Sequence, residues 1–205
     1  MTFPIRTVMP FRVGERSKFG LSSRASERFD YAAREVVGYT LDVGCGPYDR
    51  FVREYLDGNG IGVDVFQFEG LKKKQVFPDL TSFPFDDASF DSATLIATLH
   101  HIPRPKRDEE LAEIHRVLKP GGNMIVTNTL PLAIFAVHRV TRLHAKFLGK
   151  VYDMDLLREM DEEEEDYITQ MEVVERMARA GFRNITRKRF LSQWGMNRLF
   201  MGWKK

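Results

Sequence analysis

Cysteine and tryptophan are scarce in this sequence of 205 residues, which contains one cysteine and two tryptophans. The single cysteine, Cys45, excludes an intramolecular disulfide and a structural zinc site built from cysteine ligands. The sequence also has no apolar run of about 18 residues, so it predicts no transmembrane helix. Residues 1–23 lack an apolar segment long enough for a signal peptide, and we therefore expect a cytoplasmic location.

A large excess of either charge is absent as well. The chain has 31 basic and 29 acidic residues, a net charge of +2. This balance indicates no overall attraction to nucleic acid, so we expect no DNA partner and consider RNA a weaker alternative. The length favours one domain over two, since a domain has roughly 100–200 residues.

Short apolar runs alternate with helical periodicities along much of the chain. Strands alternating with helices predict a mostly parallel sheet covered on both faces, and two consecutive final strands predict a hairpin. We therefore predict an α/β fold: a Rossmann-like, doubly wound, mostly parallel seven-stranded sheet with a terminal antiparallel hairpin. The predicted strands are residues 39–43, 61–65, 75–77, 90–99, 123–128, 184–191 and 197–203, and the predicted helices are residues 24–37, 49–56, 107–118 and 169–180.

The most informative segment is Leu-Asp-Val-Gly-Cys-Gly at residues 41–46. A strand that ends in Gly-x-Gly lets the backbone approach a ligand closely, and Asp64 at the end of the next strand suits two ribose hydroxyls. The third glycine of a dinucleotide motif and a Walker motif are both missing. Asp42 would repel a phosphate but suits an ammonium group, so the pattern favours a nucleoside that carries a cation.

These residues resemble the class I S-adenosylmethionine-dependent methyltransferases, in the small-molecule branch similar to enzymes of ubiquinone and menaquinone synthesis. Four motifs carry the resemblance in the family's order: residues 41–46, residues 62–64, residues 79–91, and residues 99–102 followed by 113–122. The resemblance implies a methyltransferase that uses S-adenosyl-L-methionine as its cofactor. Tyr48 stands where the family often has a third glycine, which predicts a narrower loop or packing on the amino-acid end of the cofactor.

For the methionine end of the cofactor, the resemblance implies five residues. Gly44, Cys45 and Gly46 would wrap the methionine moiety. Asp42 would lie near its ammonium group, and Ile96 would line the sulfonium end. We expect Cys45 to be a small wall residue rather than a nucleophile.

For the nucleoside end, the resemblance implies five more residues. Asp64 would hold the ribose diol, with Val65 and Phe66 beside the adenine. Asp79 would accept a hydrogen bond from the adenine amine, next to the backbone of Leu80.

Phenylalanine is abundant, with 16 residues, and six of them lie between residues 66 and 90. We predict that Phe66 contacts the adenine. For Phe83, Phe85 and Phe90, ordinary core packing is the favoured interpretation.

Two consecutive histidines, His100 and His101, follow the fourth predicted strand at the edge where the methyl group would lie. A histidine near neutral pKa can act as a general base toward an oxygen or nitrogen acceptor. A role in core packing or capping is the alternative for either histidine. No metal is expected. Motifs for the methylation of nucleic-acid bases are absent, namely Asn/Asp-Pro-Pro-Tyr/Phe and a Pro-Cys nucleophile.

The single domain, residues 1–205, divides into an N-terminal part (1–37), a cofactor-binding core (38–128), a helical lid insertion (129–168) and a closing part (169–205). The insertion has a basic half, residues 132–150, and an acidic half, residues 153–166. A lid over the substrate is the favoured interpretation, with a packing helix or peripheral membrane contact as alternatives.

The sequence thus predicts methyl transfer to a small acceptor that is apolar or lipid-like. Two alternatives stay open: a catalytically inactive, methyltransferase-like binding protein, and a methyltransferase acting on RNA or protein.

Overall fold

The computed structural model describes residues 26–129, 168–190 and 197–205. The predicted lid, with its basic and acidic halves, lies outside these residues apart from its first and last positions. Within the described ranges, no helix is long and apolar enough to cross a membrane.

Six strands form one mixed sheet in the order β2-β1-β3-β4-β6-β5. The neighbours among β1 to β4 are parallel, whereas β6 runs antiparallel to both β4 and β5. The predicted Rossmann-like arrangement and the predicted terminal antiparallel hairpin are therefore confirmed. The strands are β1 (Thr40–Val43), β2 (Gly60–Val63), β3 (Phe90–Ile96), β4 (Leu118–Thr129), β5 (Arg183–Arg189) and β6 (Asn197–Trp203).

The segment predicted as a seventh strand, residues 75–77, makes only an isolated parallel bridge between Val76 and Asp64. Two backbone hydrogen bonds form it, from Asp64 N to Gln75 O and from Phe77 N to Asp64 O, both 2.9 Å long. A turn of 3₁₀ helix precedes the bridge, and Pro78, which has no N–H, follows it. The described sheet therefore has six strands rather than the predicted seven.

Helices cover both faces of the sheet. On one face, α1 (Ser26–Ala33) and a π-helical turn (Phe51–Tyr55) pack against β4 and β6. On the other face, α2 (Arg107–Val117) and α3 (Gln170–Arg179) cover the larger core cluster. Thr169 caps α3 by accepting a hydrogen bond from the backbone N of Glu172 at 3.1 Å, as its sequence signature predicts.

Two local predictions differ from the structure. The helix predicted over residues 49–56 is a 3₁₀ turn (Pro47–Asp49) followed by the π-helical turn, because Tyr48 and Asp49 have left-handed backbone angles. Strand β4 begins at Leu118 rather than at residue 123. Its pairing with β3 shifts register near Phe90, which accommodates the intervening residues Lys119 to Gly122.

The phenylalanines at residues 83, 85 and 90 pack in or against the core, as predicted. Phe85 meets Phe90 edge to face, with ring centroids 5.1 Å apart. Phe77 belongs to the same group, since its ring contacts Phe85 at 6.3 Å.

Candidate cofactor and active site

Three loops meet at the carboxyl edge of the sheet, where ligands bind in open α/β folds. They follow β1 (residues 44–49), β2 (residues 64–68) and β3 (residues 97–101). Because β1 pairs with both β2 and β3, these loops are spatial neighbours although they are far apart in sequence.

Gly44 is required by a close contact inside this loop cluster. Its φ is +74°, and an added Cβ would lie 2.3 Å from Cγ2 of Thr98. The backbone N of Gly44 donates to Val63 O at 2.8 Å, which ties the loop to the end of β2. Gly44 therefore shapes the loop by letting the β3 exit pack directly on it.

Gly46 is left-handed as well, with φ +64°, but an added Cβ would meet nothing within 4 Å. Its backbone N donates to Oδ2 of Asp64 at 2.9 Å. The other oxygen of Asp64 accepts a hydrogen bond from the backbone N of Phe66 at 3.1 Å. Open space over a glycine beside a carboxylate is what a nucleoside with a ribose diol requires, so these residues fit the implied cofactor.

Asp42 is 2% exposed, on β1 beneath the loop. Thr94 on the neighbouring β3 donates to its Oδ1 at 2.6 Å. Burial, together with the nearby Asp49 and Asp64 carboxylates, raises the pKa of Asp42 to about 8, against the lowering effect of the Thr94 hydrogen bond. A carboxyl group in this environment ionises readily only when a cation approaches, which suits the ammonium assigned to it.

Sequence reasoning gave Asp49 no role, but it is buried at the centre of the site. Its Oδ2 accepts hydrogen bonds from Gly62 N at 3.1 Å and from Gln75 Nε2 at 2.9 Å. An added Cβ on Gly62 would lie 2.2 Å from Oδ1 of Asp49. The glycine inside strand β2 was the available signal, because such glycines mark close approaches.

Cys45 is half-buried in the loop. Burial, together with the carboxylates of Asp42, Asp49 and Asp64, raises the pKa of its thiol far above the ordinary range. The thiol therefore stays protonated, which disfavours a nucleophilic role, and the prediction that Cys45 is a wall residue of the cofactor site stays untested.

Tyr48 keeps the left-handed conformation of the glycine it replaces, with φ +65°. Its backbone N donates to Glu69 O at 2.7 Å, and its hydroxyl hydrogen-bonds the Glu69 side chain. An added Cβ on Gly70 would lie 2.6 Å from the Tyr48 ring. Tyr48 therefore joins the β1 loop to the β2 loop, and the residue is 44% exposed.

The residues assigned to the nucleoside lie in two groups. Val65 and Phe66 are half-buried directly after Asp64, and Phe66 meets Phe68 edge to face at 5.8 Å. Leu80 has a fully buried side chain, so only its backbone is available to a ligand. Their contacts with adenine stay predictions.

Asp79 lies in an exposed turn with partners of its own. Oδ1 accepts hydrogen bonds from the backbone N and the hydroxyl of Thr81, and Oδ2 pairs with Lys106 at 3.1 Å. These hydrogen bonds lower the pKa of Asp79 to about 2. An adenine amine would share this carboxylate with Thr81 and Lys106, and the predicted contact is untested.

The chain leaves β3 through Ile96, which is half-buried at the predicted methionine end, and Ala97, whose φ is +57°. Two residues beyond Thr98, the rings of His100 and His101 lie 4.0 Å apart in a 3₁₀ turn. The buried Arg107 holds this turn by donating to Ile102 O at 2.8 Å and to the His100 carbonyl at 3.4 Å. The histidine pair thus follows the segment that packs on the glycine loop through Thr98, and its catalytic role stays a prediction.

Comparison with known proteins agrees with this geometry. A family model for a methyltransferase domain matches residues 41–126. The chain is 25% identical over 198 residues to the ubiquinone/menaquinone biosynthesis C-methyltransferase UbiE of Brucella anthropi, covering 87% of this chain and 73% of that protein. It is 32% identical over 126 residues to 24-methylenesterol C-methyltransferase 2 of Oryza sativa, covering 50% of this chain and 34% of that protein.

Among solved structures, the fold is similar to a methyltransferase from Thermotoga maritima described as a possible histamine N-methyltransferase. The TM-score is 0.61 with 19% identity, covering 87% of this chain and 88% of the other.

The fold and the site define an α/β methyltransferase of the Rossmann-like class. The chain is a class I S-adenosylmethionine-dependent methyltransferase of the small-molecule kind, with distant similarity to UbiE and to sterol methyltransferases. The predicted class, enzymatic activity and cofactor are therefore confirmed.

Proposed function

We propose that this enzyme methylates a small acceptor that is apolar or lipid-like, with the reacting atom held beside His100 and His101. One observation carries the proposal. The open space over Gly46 adjoins Asp64, which accepts a hydrogen bond from the Gly46 backbone N, and Gly44 in the same loop packs on Thr98, two residues before His100.

The protein's contribution is binding, orientation and proton transfer. Bound S-adenosyl-L-methionine supplies an activated methyl group on its sulfonium. Asp64 orients the ribose, and Asp42 provides the counter-charge to the ammonium. Such positioning accounts for much of the rate in an in-line displacement, because the reacting atoms need not find each other by diffusion.

One of the two histidines then acts as general base for the acceptor. A neutral imidazole nitrogen within hydrogen-bond reach accepts the acceptor's proton as the methyl group arrives. The apolar character of the acceptor is supported by the relatives, whose names specify ubiquinone/menaquinone biosynthesis and sterols.

Methyl-labelled cofactor, incubated with separate lipid, small-molecule, RNA and protein fractions, tests the proposal. We expect label in the lipid or small-molecule fraction. His100→Gln or His101→Gln should lower kcat by roughly 10²–10⁴-fold, the usual contribution of a general base, without changing cofactor affinity. His115→Gln is the control, because His115 packs on Phe182 at 5.1 Å on helix α2.

Two results would refute the proposal. Label only in RNA or protein would indicate a macromolecular acceptor. Tight cofactor binding with no labelled product in any fraction would indicate a binding protein without turnover.

A further inference from the structure

Three arginines gather at the same sheet edge, on the terminal hairpin. Arg189 on β5 pairs directly with Arg198 on β6, and Arg198 pairs in turn with Asn128 on β4. Asn128 is next to the last residue of β4. The row Asn128–Arg198–Arg189 therefore crosses the carboxyl edge of the sheet.

The third arginine, Arg187, lies on the same face. Side chains alternate along a strand, so Arg187 and Arg189 share a face while Lys188 points to the other. Lys188 contacts Glu35 beyond the end of α1, and Arg187 donates to the Gln170 side chain in the first turn of α3 at 2.8 Å. The three arginines thus occupy the α3 face of the hairpin.

Positive charge is concentrated on the α3 face of the terminal hairpin. Like charges directly opposite each other across two strands are destabilising, and the N-terminus of α3 adds the positive end of a helix dipole. Burial and the charges of Arg189 and Arg187 lower the pKa of Arg198. Glu172, the acid in the first turn of α3, is already paired with Arg176 at 2.8 Å. Among the described residues, the Arg189 side chain has no ion-pair partner.

The distance between the three arginines and the predicted methyl-transfer site follows from the order of strands in the sheet. Neighbouring strands are about 4.8 Å apart, and β6 and β5 are two and three strands from β3. The arginines therefore lie roughly 10–14 Å from the β3 exit that carries His100 and His101. An acceptor of that length can reach both places.

We propose that Arg187, Arg189 and Arg198 form an anion subsite that binds a phosphate group of the acceptor, roughly 10–14 Å from the β3 exit. Arginine forks match the oxygens of phosphate, and three of them on one face of the hairpin favour a dianion. The inference rests on the proposed function and refines it: the acceptor is an amphiphile with an apolar body and a phosphate head.

Octyl phosphate and octanol are the test ligands, titrated by calorimetry into the full chain saturated with S-adenosylhomocysteine. We expect octyl phosphate to bind and octanol to bind at least about tenfold more weakly, since a charge-assisted hydrogen bond is worth that factor. Arg189→Gln and Arg198→Gln should each weaken octyl phosphate binding about tenfold, and Arg189→Lys should recover part of it. Arg183→Gln, at the far end of the same strand, should change it less than about twofold.

Equal affinity of the wild type and of both glutamine variants would overturn the subsite, as would an equal loss in Arg183→Gln. Sedimentation with phosphatidylglycerol and phosphatidylcholine vesicles separates the sources of phosphate. Binding to phosphatidylglycerol vesicles without binding of octyl phosphate would also overturn the subsite and assign the patch to a membrane surface. If the wild-type chain does not bind S-adenosylhomocysteine, the proposed function is overturned. If it binds S-adenosylhomocysteine but not octyl phosphate, only the subsite is overturned.

Discussion

Single side chains at the sheet edge fall into two groups, those that hold the loops together and those with atoms available to a ligand. Both oxygens of Asp64 accept one backbone N–H each, from Gly46 and Phe66. A carboxylate oxygen has two acceptor positions, so each can also take a ribose hydroxyl. Asp49, in contrast, serves the fold by binding Gly62 N through one oxygen.

The first prediction concerns Asp64. Asp64→Ala should weaken S-adenosylmethionine binding by about 1.5–3 kcal/mol, because hydrogen bonds to a charged group are lost. Calorimetric titration measures this, with Asp86→Ala, an exposed acid outside the site, as the control. Unchanged affinity in Asp64→Ala would show that the ribose lies elsewhere.

The second prediction follows from Asp42. Its pKa of about 8 means that the carboxyl is mostly protonated at pH 7 in the free protein. A bound ammonium favours the ionised form, so cofactor binding at pH 7 should release a proton, and affinity should rise between pH 6 and pH 7.5. Titrations at pH 7 in two buffers of different ionisation enthalpy detect the proton. Asp42→Asn should abolish its release, and identical enthalpies for the wild type in both buffers would contradict the assignment.

At the scale of structural elements, the glycine loop predicts different effects for two similar substitutions. Gly44→Ala should destabilise the fold by about 2–4 kcal/mol, because its Cβ would collide with Thr98 at a left-handed position. Gly46→Ala should cost less, about 1–3 kcal/mol from backbone strain alone at φ +64° and ψ −165°, since its Cβ meets open space, and it should block the cofactor. Urea unfolding and calorimetric titration of both variants check this. Equal loss of stability in the two would contradict the packing described for Gly44.

Much of the element pattern was predictable from local sequence. Strand β6 and the cap of α3 at Thr169 match the prediction, because alternation and capping depend on near neighbours. The turn after β1 was not predictable, since Asp49 is held by Gln75, which is 26 residues away. The absence of the seventh strand has a similar cause. Residues 75–77 pair with the segment after β2 only through the bridge between Val76 and Asp64, and the length of such a pairing depends on how far that distant segment stays extended.

At the scale of the whole molecule, buried carboxyl groups set the dependence of stability on pH. Burial raises the pKa of Asp30 to about 6 and that of Asp42 to about 8, both above the unfolded value of 3.8. The folded state therefore binds protons more tightly, and stability should fall as pH rises from about 4 to about 8. Asp79, with a lowered pKa, stabilises the fold above pH 4 and loses that contribution in acid. Burial lowers the pKa of His115, so this residue weakly opposes the fall of stability with rising pH in the range below pH 6.5.

Calorimetric scans of the cofactor-free protein test this. The melting temperature should be several degrees higher at pH 5.5 than at pH 8, and lower again below pH 4. Each kcal/mol of unfolding free energy corresponds to roughly 2–4 °C in a protein of this size. Asp30→Asn should raise the melting temperature at pH 8, and Asp42→Asn should flatten the curve between pH 6 and pH 8. A flat profile in the wild type would show that neither carboxyl group is held neutral.

By itself, the sequence determined the class of enzyme and its cofactor through the family resemblance of the motifs between residues 41 and 122, and it determined the alternation of strands and helices through local periodicity. Periodicity, strand ends and helix caps can be read from the sequence because they are local properties of the chain. Only the tertiary structure decided that Gly44 packs on Thr98, that Gly46 faces open space, and that Arg189 and Arg198 meet across the final hairpin. Those contacts depend on strand register, which places residues distant in sequence side by side and sets the charge and space that a ligand encounters.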